Sequence, residues 1–187
     1  PYYKKLKKII DIKDDGSYRL VLSYFAYHYS DRMPSEKLCK LLGSPVRKPD
    51  SEITKRHRDI AAALQMILEE AMTKILNHVH RTTKCDNLVL AGGVALNSVC
   101  NGKILRCTPF KRIWVQPDAG DGGTSLGVAS YIYHTLLVHK RSYILKDVYL
   151  GPEFSAKEIR SFLDKNKIAY SEFKGVNDLI RATAKLI

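Results

Sequence analysis

Two stretches of this sequence combine residue types suited to phosphate and cation chemistry. The first, Leu90-Ala91-Gly92-Gly93-Val94-Ala95-Leu96-Asn97, ends an apolar run on paired glycines. Without a Cβ at either position, the backbone can lie directly against a ligand. A helix opening behind the glycines presents unpaired N–H groups and the positive end of its dipole, which suit a phosphate. Asn97, placed one turn into that helix, can reach a sugar hydroxyl or a phosphate. The second stretch, Gln116-Pro117-Asp118-Ala119-Gly120-Asp121-Gly122-Gly123-Thr124, sets two carboxylates among three glycines. An acid on a loop at the C-terminal end of a strand is placed to hold a metal ion beside phosphates. Neither stretch is a G-x-G-x-x-G or a G-x-x-x-x-G-K-[ST] phosphate loop. Either one alone reads equally as a tight turn for helix–sheet packing, and Asp118 as a turn or solvent-facing residue. Two such junctions in one sheet favour a ligand site over packing alone.

The flanking periodicity supplies the elements that must position these loops. Lys7–Lys13 and Ser17–Tyr24 read as antiparallel strands joined at Asp14-Asp15-Gly16-Ser17, since Asp-Gly between two β-like runs is a hairpin signal. Ser30–Asp50, with Pro34, Gly43, Pro45 and Pro49, reads as loop around a short helix at Glu36–Leu42. Between Glu52 and His80 the period changes: Ile60, Ala63, Leu64, Ile67, Leu68, Ala71, Ile75, Leu76 and Val79 recur at three- and four-residue steps, predicting a long amphipathic helix. Asn87–Ala91 and Arg112–Gln116 read as short buried strands, Val94–Leu105 and Thr124–Val138 as helices, the latter with Thr124 as its cap. The order predicts an α/β fold with one mixed sheet and helices on its faces. The expected division is residues 1–140 as a first domain, 141–150 as a linker, and 151–187 as the start of a second α/β domain with helices at Ser155–Lys165 and Val176–Ile187.

Composition narrows the class. With 45% hydrophobic and 27% charged residues over 187 positions, the chain is globular rather than disordered or collagen-like. No apolar run reaches the ~18 residues that a membrane span needs; the longest, Leu126–Val138, contains Ser130, His134 and Thr135. The start at Pro1 predicts further residues upstream, and Tyr2-Tyr3-Lys4-Lys5 is not the opening of a signal peptide. A cytoplasmic protein is therefore expected. The net charge of +12 suits polyanions or phosphorylated small molecules, but its scattered lysines and arginines predict a solvated surface and argue against nucleic acid. Cys39, Cys85, Cys100 and Cys107 form no C-x-x-C pair and read as buried free thiols of a reducing compartment. His57 reads as a solvated helix-end residue, a neighbour of the cleft at the glycine loops, or a pH switch. Gln65 and Glu69, one turn apart, read as a surface polar pair or a ribose contact.

At these residues the sequence resembles the O-carbamoyltransferases of nodulation-factor and antibiotic biosynthesis. Ala91-Gly92-Gly93-Val94-Ala95-Leu96-Asn97-Ser98 with Asn101-Gly102 is similar to one family signature. Gln116-Pro117, Gly120-Asp121-Gly122-Gly123-Thr124 and Leu126-Gly127 are similar to a second, although the family usually has Ala at the position of Asp118 and often at that of Gly122. Gly43-Ser44-Pro45-Val46-Arg47, His57, Asp59-Ile60-Ala61, Gln65–Glu69 and Tyr149-Leu150-Gly151-Pro152 add to the likeness. The resemblance implies an actin-like, RNase H-like (ASKHA) fold, of which this chain is the second half of the catalytic domain and the beginning of a truncated C-terminal carbamoyltransferase domain. It implies ATP and carbamoyl phosphate as substrates, a carbamoyl-adenylate, and transfer to a hydroxyl of a small sugar-containing acceptor. Gly92, Gly93 and Asn97 would line the nucleotide, Gly120 and Gly122 would lie against the phosphates, and Asp121 would be the catalytic metal ligand, for Fe2+ or else Mg2+. The family's His-x-x-x-His metal pair is not in this chain, which implies that it lies upstream and that residues 1–187 alone are inactive. A homodimer is compatible with this picture. The alternative is a nucleotide-binding module of the same fold without catalysis, such as a subunit of a tRNA-modification complex.

Overall fold

The protein, described here as a computed structural model, is defined over all residues from Pro1 to Ile187. It divides into two compact units, Pro1–Arg141 and Ser142–Ile187.

The first unit is organised on one helix. Helix α1 (Tyr3–Leu6) leads into a hairpin of β1 (Ile10–Ile12) and β2 (Tyr18–Leu20), paired Ile10 to Leu20 and Ile12 to Tyr18. Both strands are shorter than the sequence predicts. Leu6 and Ile9 are buried at helix-like spacing, so the chain is still helical or turning at Lys7, where the sequence predicts a strand. A 3-10 turn at Leu22–Tyr24 ends the second strand early. Helix α2 (Glu36–Leu42) matches its sequence signals. The Ser35 hydroxyl accepts from the Leu38 N–H, and Gly43 closes the helix at φ 79°.

Helix α3 runs from Lys55 to Thr83. Thr54 caps it: its N–H donates to His57 Nδ1 at 3.0 Å, while its side chain serves the backbone N–H of His57. At the far end Lys84 adopts φ 58° and closes the last turn on His80 O. Ala63, Ile67 and Ala71 pack with Leu6, Ile9, Ile12 and Leu38. Leu76, about 140° further round the helix from Ala71 at 3.6 residues per turn, packs instead with Leu88, Ile104 and Phe110. The hairpin and the second strand pair thus dock on different faces of α3.

This placement corrects the expectation of one mixed sheet. There are two separate two-stranded sheets, the antiparallel β1–β2 and a parallel pair of β3 (Asn87–Leu90) and β4 (Arg112–Val115). The helix predicted to cover one sheet stands between two. Helix α4 (Ser98–Cys107) connects β3 to β4, and α5 (Thr124–Tyr131) follows β4, running into a π-helical turn at Ile132–Leu136. None of the residues of α5 is buried. No helix is long and apolar enough to cross a membrane.

In the second unit, α6 (Ala156–Lys165) and α7 (Val176–Leu186) occupy the predicted spans. Ser155 and Glu158 form a capping box on α6, in which the Ser155 N–H donates to Glu158 Oε2 at 2.7 Å.

Candidate functional site

The parallel register aligns Leu90 with Val115, so β3 and β4 end side by side and deliver both glycine loops to one edge. Two backbone bonds then join the loops: Gln116 N–H to Leu90 O at 3.0 Å, and Gly92 N–H to Ala119 O at 2.7 Å. Leu96 adds a side-chain contact, since a Cβ on Gly120 would meet its Cδ1 at 3.3 Å.

In the first loop Gly92 has φ 100° and ψ 162°, a conformation open essentially to glycine alone. Gly93 has no such backbone need, and an added Cβ would meet nothing within 4 Å. Nothing inside the chain therefore requires glycine at 93; its bare backbone faces open space. The N–H groups of Gly93 and Val94 donate to no group of the chain. The helix expected from Val94 begins only at Ser98, after a 3-10 turn at Gly93–Leu96. Asn97 is consequently not one turn into the helix but its cap, its Oδ1 accepting from the Cys100 N–H at 2.9 Å. Asn101 braces the turn by donating to Ala95 O at 2.7 Å.

In the second loop Asp118 takes a left-handed φ of 52°, tolerated by Asp at modest cost. Its side chain occupies the space that a Cβ on Gly122 would need, and its carbonyl does the same for Gly123. Gly122, expected against a phosphate, thus has a packing reason of its own. Gly120 precedes a 3-10 turn at Asp121–Gly123, and α5 follows directly, with Thr124 in its first turn rather than as its cap. The Thr124 hydroxyl donates to Asp121 O at 2.6 Å. Asp121 is exposed, on the loop bonded to Gly92. No three His, Cys, Asp or Glu side chains lie close enough to share a cation. Asp121 thus has no such neighbours beside it, and these side chains form no metal centre among themselves.

Behind the first loop lies a polar network. Gln65, Glu69 and Leu76 fall within about 40° of one another on α3, on the face toward β3 and α4. Gln65 and Asn97 exchange hydrogen bonds: Gln65 Nε2 donates to Asn97 Oδ1 at 3.1 Å, and Asn97 Nδ2 donates to Gln65 Oε1 at 2.8 Å. Gln65 Nε2 also donates to Glu69 Oε1 at 3.0 Å, and Lys103 Nζ from α4 donates to both Glu69 oxygens at 2.7 Å. The Lys103 bond, then the Gln65 bond, holds the Glu69 carboxyl below the usual glutamate range. The pair that reads from sequence as surface polarity is half-buried and joins α3 to the first loop. Lys103 escapes a reading of the sequence; its only trace there is one more cation on the predicted α4.

Other residues serve the scaffold. His57 sits at the helix end, as its first reading has it, and serves there as a capping side chain. Arg47 Nη1 gathers the carbonyls of Lys48 and Pro49, at 2.9 and 2.6 Å, and that of Ser51. Of the cysteines expected to be buried, only Cys100 is; Cys39 is half-buried, and Cys85 and Cys107 are exposed. Burial pushes the Cys100 thiol up.

The loops and strands that carry this geometry fall inside a region matched by a family profile, Carbamoyltransferase N-terminus, which covers residues 3–130. The chain belongs to the carbamoyltransferase family. An uncharacterized protein of Synechocystis sp., sll1178, is 41% identical to this chain over 162 residues, 84% of the chain and 26% of that protein. Nodulation protein NolO of Bradyrhizobium diazoefficiens is 34% identical over 157 residues, 84% of the chain and 27% of that protein. Nodulation protein NolNO of Sinorhizobium fredii is 33% identical over 156 residues, 83% of the chain and 21% of that protein. The chain spans about a quarter of the length of these curated relatives.

Proposed function

We propose that this chain forms the nucleotide-facing part of an ATP-dependent O-carbamoyltransferase. In this reading the carbamoyl group passes from carbamoyl phosphate, by way of a carbamoyl-adenylate, to a hydroxyl of a small sugar-containing acceptor in the cytoplasm. Gly92, Gly93 and Asn97 line the nucleotide, and Gly120 and Gly122 hold the second loop beside its phosphates. Asp121 contributes one ligand to a divalent cation, Fe2+ or Mg2+, whose other ligands come from elsewhere in a longer polypeptide. Such an ion, when bound, polarises a carbonyl or phosphoryl oxygen.

One observation supports the reading above the others. The Gly92 N–H to Ala119 O bond fastens the two junctions together while leaving Gly93 bare toward open space. Backbone without side chain, unpaired N–H groups and a neighbouring carboxylate are what a metal-bound polyphosphate requires.

The test is Asp121→Ala in the intact protein, followed by calorimetric ATP titration, metal analysis and carbamoyl transfer. Retained ATP binding with loss of metal and turnover is the expected result. Unchanged metal content and turnover would overturn the metal assignment. Salt-steep RNA binding by a protein that binds ATP but transfers nothing would favour the non-catalytic module.

A further inference from the structure

Asn97 is held by donors and acceptors whose directions leave no choice. The Cys100 backbone N–H can only donate, so the atom of Asn97 that faces it at 2.9 Å is Oδ1. Asn97 Nδ2 then faces Gln65 Oε1 at 2.8 Å, which turns Gln65 Nε2 toward Asn97 Oδ1 at 3.1 Å and toward the Glu69 carboxylate at 3.0 Å. Glu69, an acceptor, is clamped by Lys103 Nζ at 2.7 Å on both oxygens. Donation runs from Cys100 through Asn97 and Gln65 to Glu69, and Lys103 donates to Glu69 from the other side, so each amide has one orientation. The wiring engages both lone pairs of Asn97 Oδ1 and one of the two Nδ2 hydrogens, and leaves the second hydrogen without a partner in the chain.

We propose that Gln65 is a positioning residue that locks the Asn97 amide, so that Asn97 meets the ligand only as a hydrogen-bond donor to an acceptor oxygen of the nucleotide. The inference rests on the nucleotide reading above. Gln65 touches no ligand; it acts through Asn97. Asn97 cannot recognise a ligand N–H or donate-only group, because its carbonyl oxygen is already filled. The register of Gly93 and Val94 is set with it, since the same residue ends their 3-10 turn and caps α4.

A double-mutant cycle read by ATP affinity in the intact protein separates positioning from bulk structure. Gln65→Ala is made with Asn97 present and in an Asn97→Ser background, where serine still caps α4 but has no amide to lock. Gln65→Ala is expected to weaken ATP about fivefold beside Asn97 and not at all in the Asn97→Ser background. Gln65→Met, similar in volume and a good helix former, replaces the alanine variant if that one does not fold. Asn97→Asp, which keeps the cap but sets an acceptor and a charge against Gln65 Oε1 where the donor was, is expected to weaken ATP at least tenfold and to lower Tm. Equal losses from Gln65→Ala in both backgrounds, or none in either, would overturn the positioning role while wild-type ATP binding leaves the nucleotide reading standing. A wild-type protein that binds no ATP overturns both.

Discussion

The two faces of α3 solve different problems with one helix. Toward the hairpin, the helix is packed: Ala63, Ile67 and Ala71 are buried against α1, β1 and α2, and Gly16 lets the hairpin turn lie directly on the backbone of Ile75. Glu70, an acid on that side, is closed off by Lys7 Nζ at 2.8 Å and the Tyr3 hydroxyl at 2.6 Å. Toward β3 and α4 the helix instead carries a wired polar network and ends its influence at a loop with bare backbone and free N–H groups. Apolar contact suffices where the only task is to stay folded. Directional bonds are used where the orientation of a single amide matters, because dispersion and burial do not distinguish an oxygen from a nitrogen.

The contrast can be broken most forcefully at Gly16. A Cβ there would run into the Ile75 backbone at a φ of 84°, so Gly16→Ala should destabilise by about 4 kcal/mol, combining overpacking with left-handed strain, as read by urea unfolding. Ile67→Ala, at a residue only 2% exposed, should cost about 3 kcal/mol; with the fold maintained at low temperature, ATP affinity should stay as in wild type, because the loss falls on the packed face. On the other side, Gly122→Ala should cost about 2 kcal/mol by colliding with the Asp118 side chain. Asp118→Gly in the same molecule, which removes that side chain without left-handed strain at φ 52°, should restore most of it, and thermal melts of the four proteins would show the coupling. The smallest expected effect is electrostatic. Lys7 and then Tyr3 hold the Glu70 carboxyl low, as Lys103 and Gln65 hold Glu69. A carboxyl lowered on folding adds stability that is complete above the ordinary glutamate range and is lost as pH falls through the folded value. Acid titration of stability should therefore show a loss below about pH 4.3, reduced by Glu69→Gln and Glu70→Gln. Each pair is worth no more than about 1 kcal/mol at this exposure.

What can be read beforehand follows the range of the interactions. Asp14-Asp15-Gly16-Ser17, the Ser35 and Gly43 ends of α2, the apolar repeat of α3 and the two glycine loops are local signals, and each element forms near its expected place. The early start expected for α4 has a local cause too: Val94-Ala95-Leu96 favours a helix by residue type, yet Asn97-Ser98 is the capping signal that sets the true start. The single mixed sheet fails for a non-local reason. Which face of α3 a strand pair meets depends on the angle between Ala71 and Leu76, and no strand sequence records it. Gln65 and Asn97 stand 32 positions apart, so their pairing, and Lys103 behind it, belongs to the assembled fold alone.

The bond from Gly92 to Ala119 has a further consequence. A single amide hydrogen keeps watch over both loops, shielded from deuterium while they lie together and surrendered to solvent as soon as either swings away. Its exchange rate is a built-in gauge of how often the two loops part.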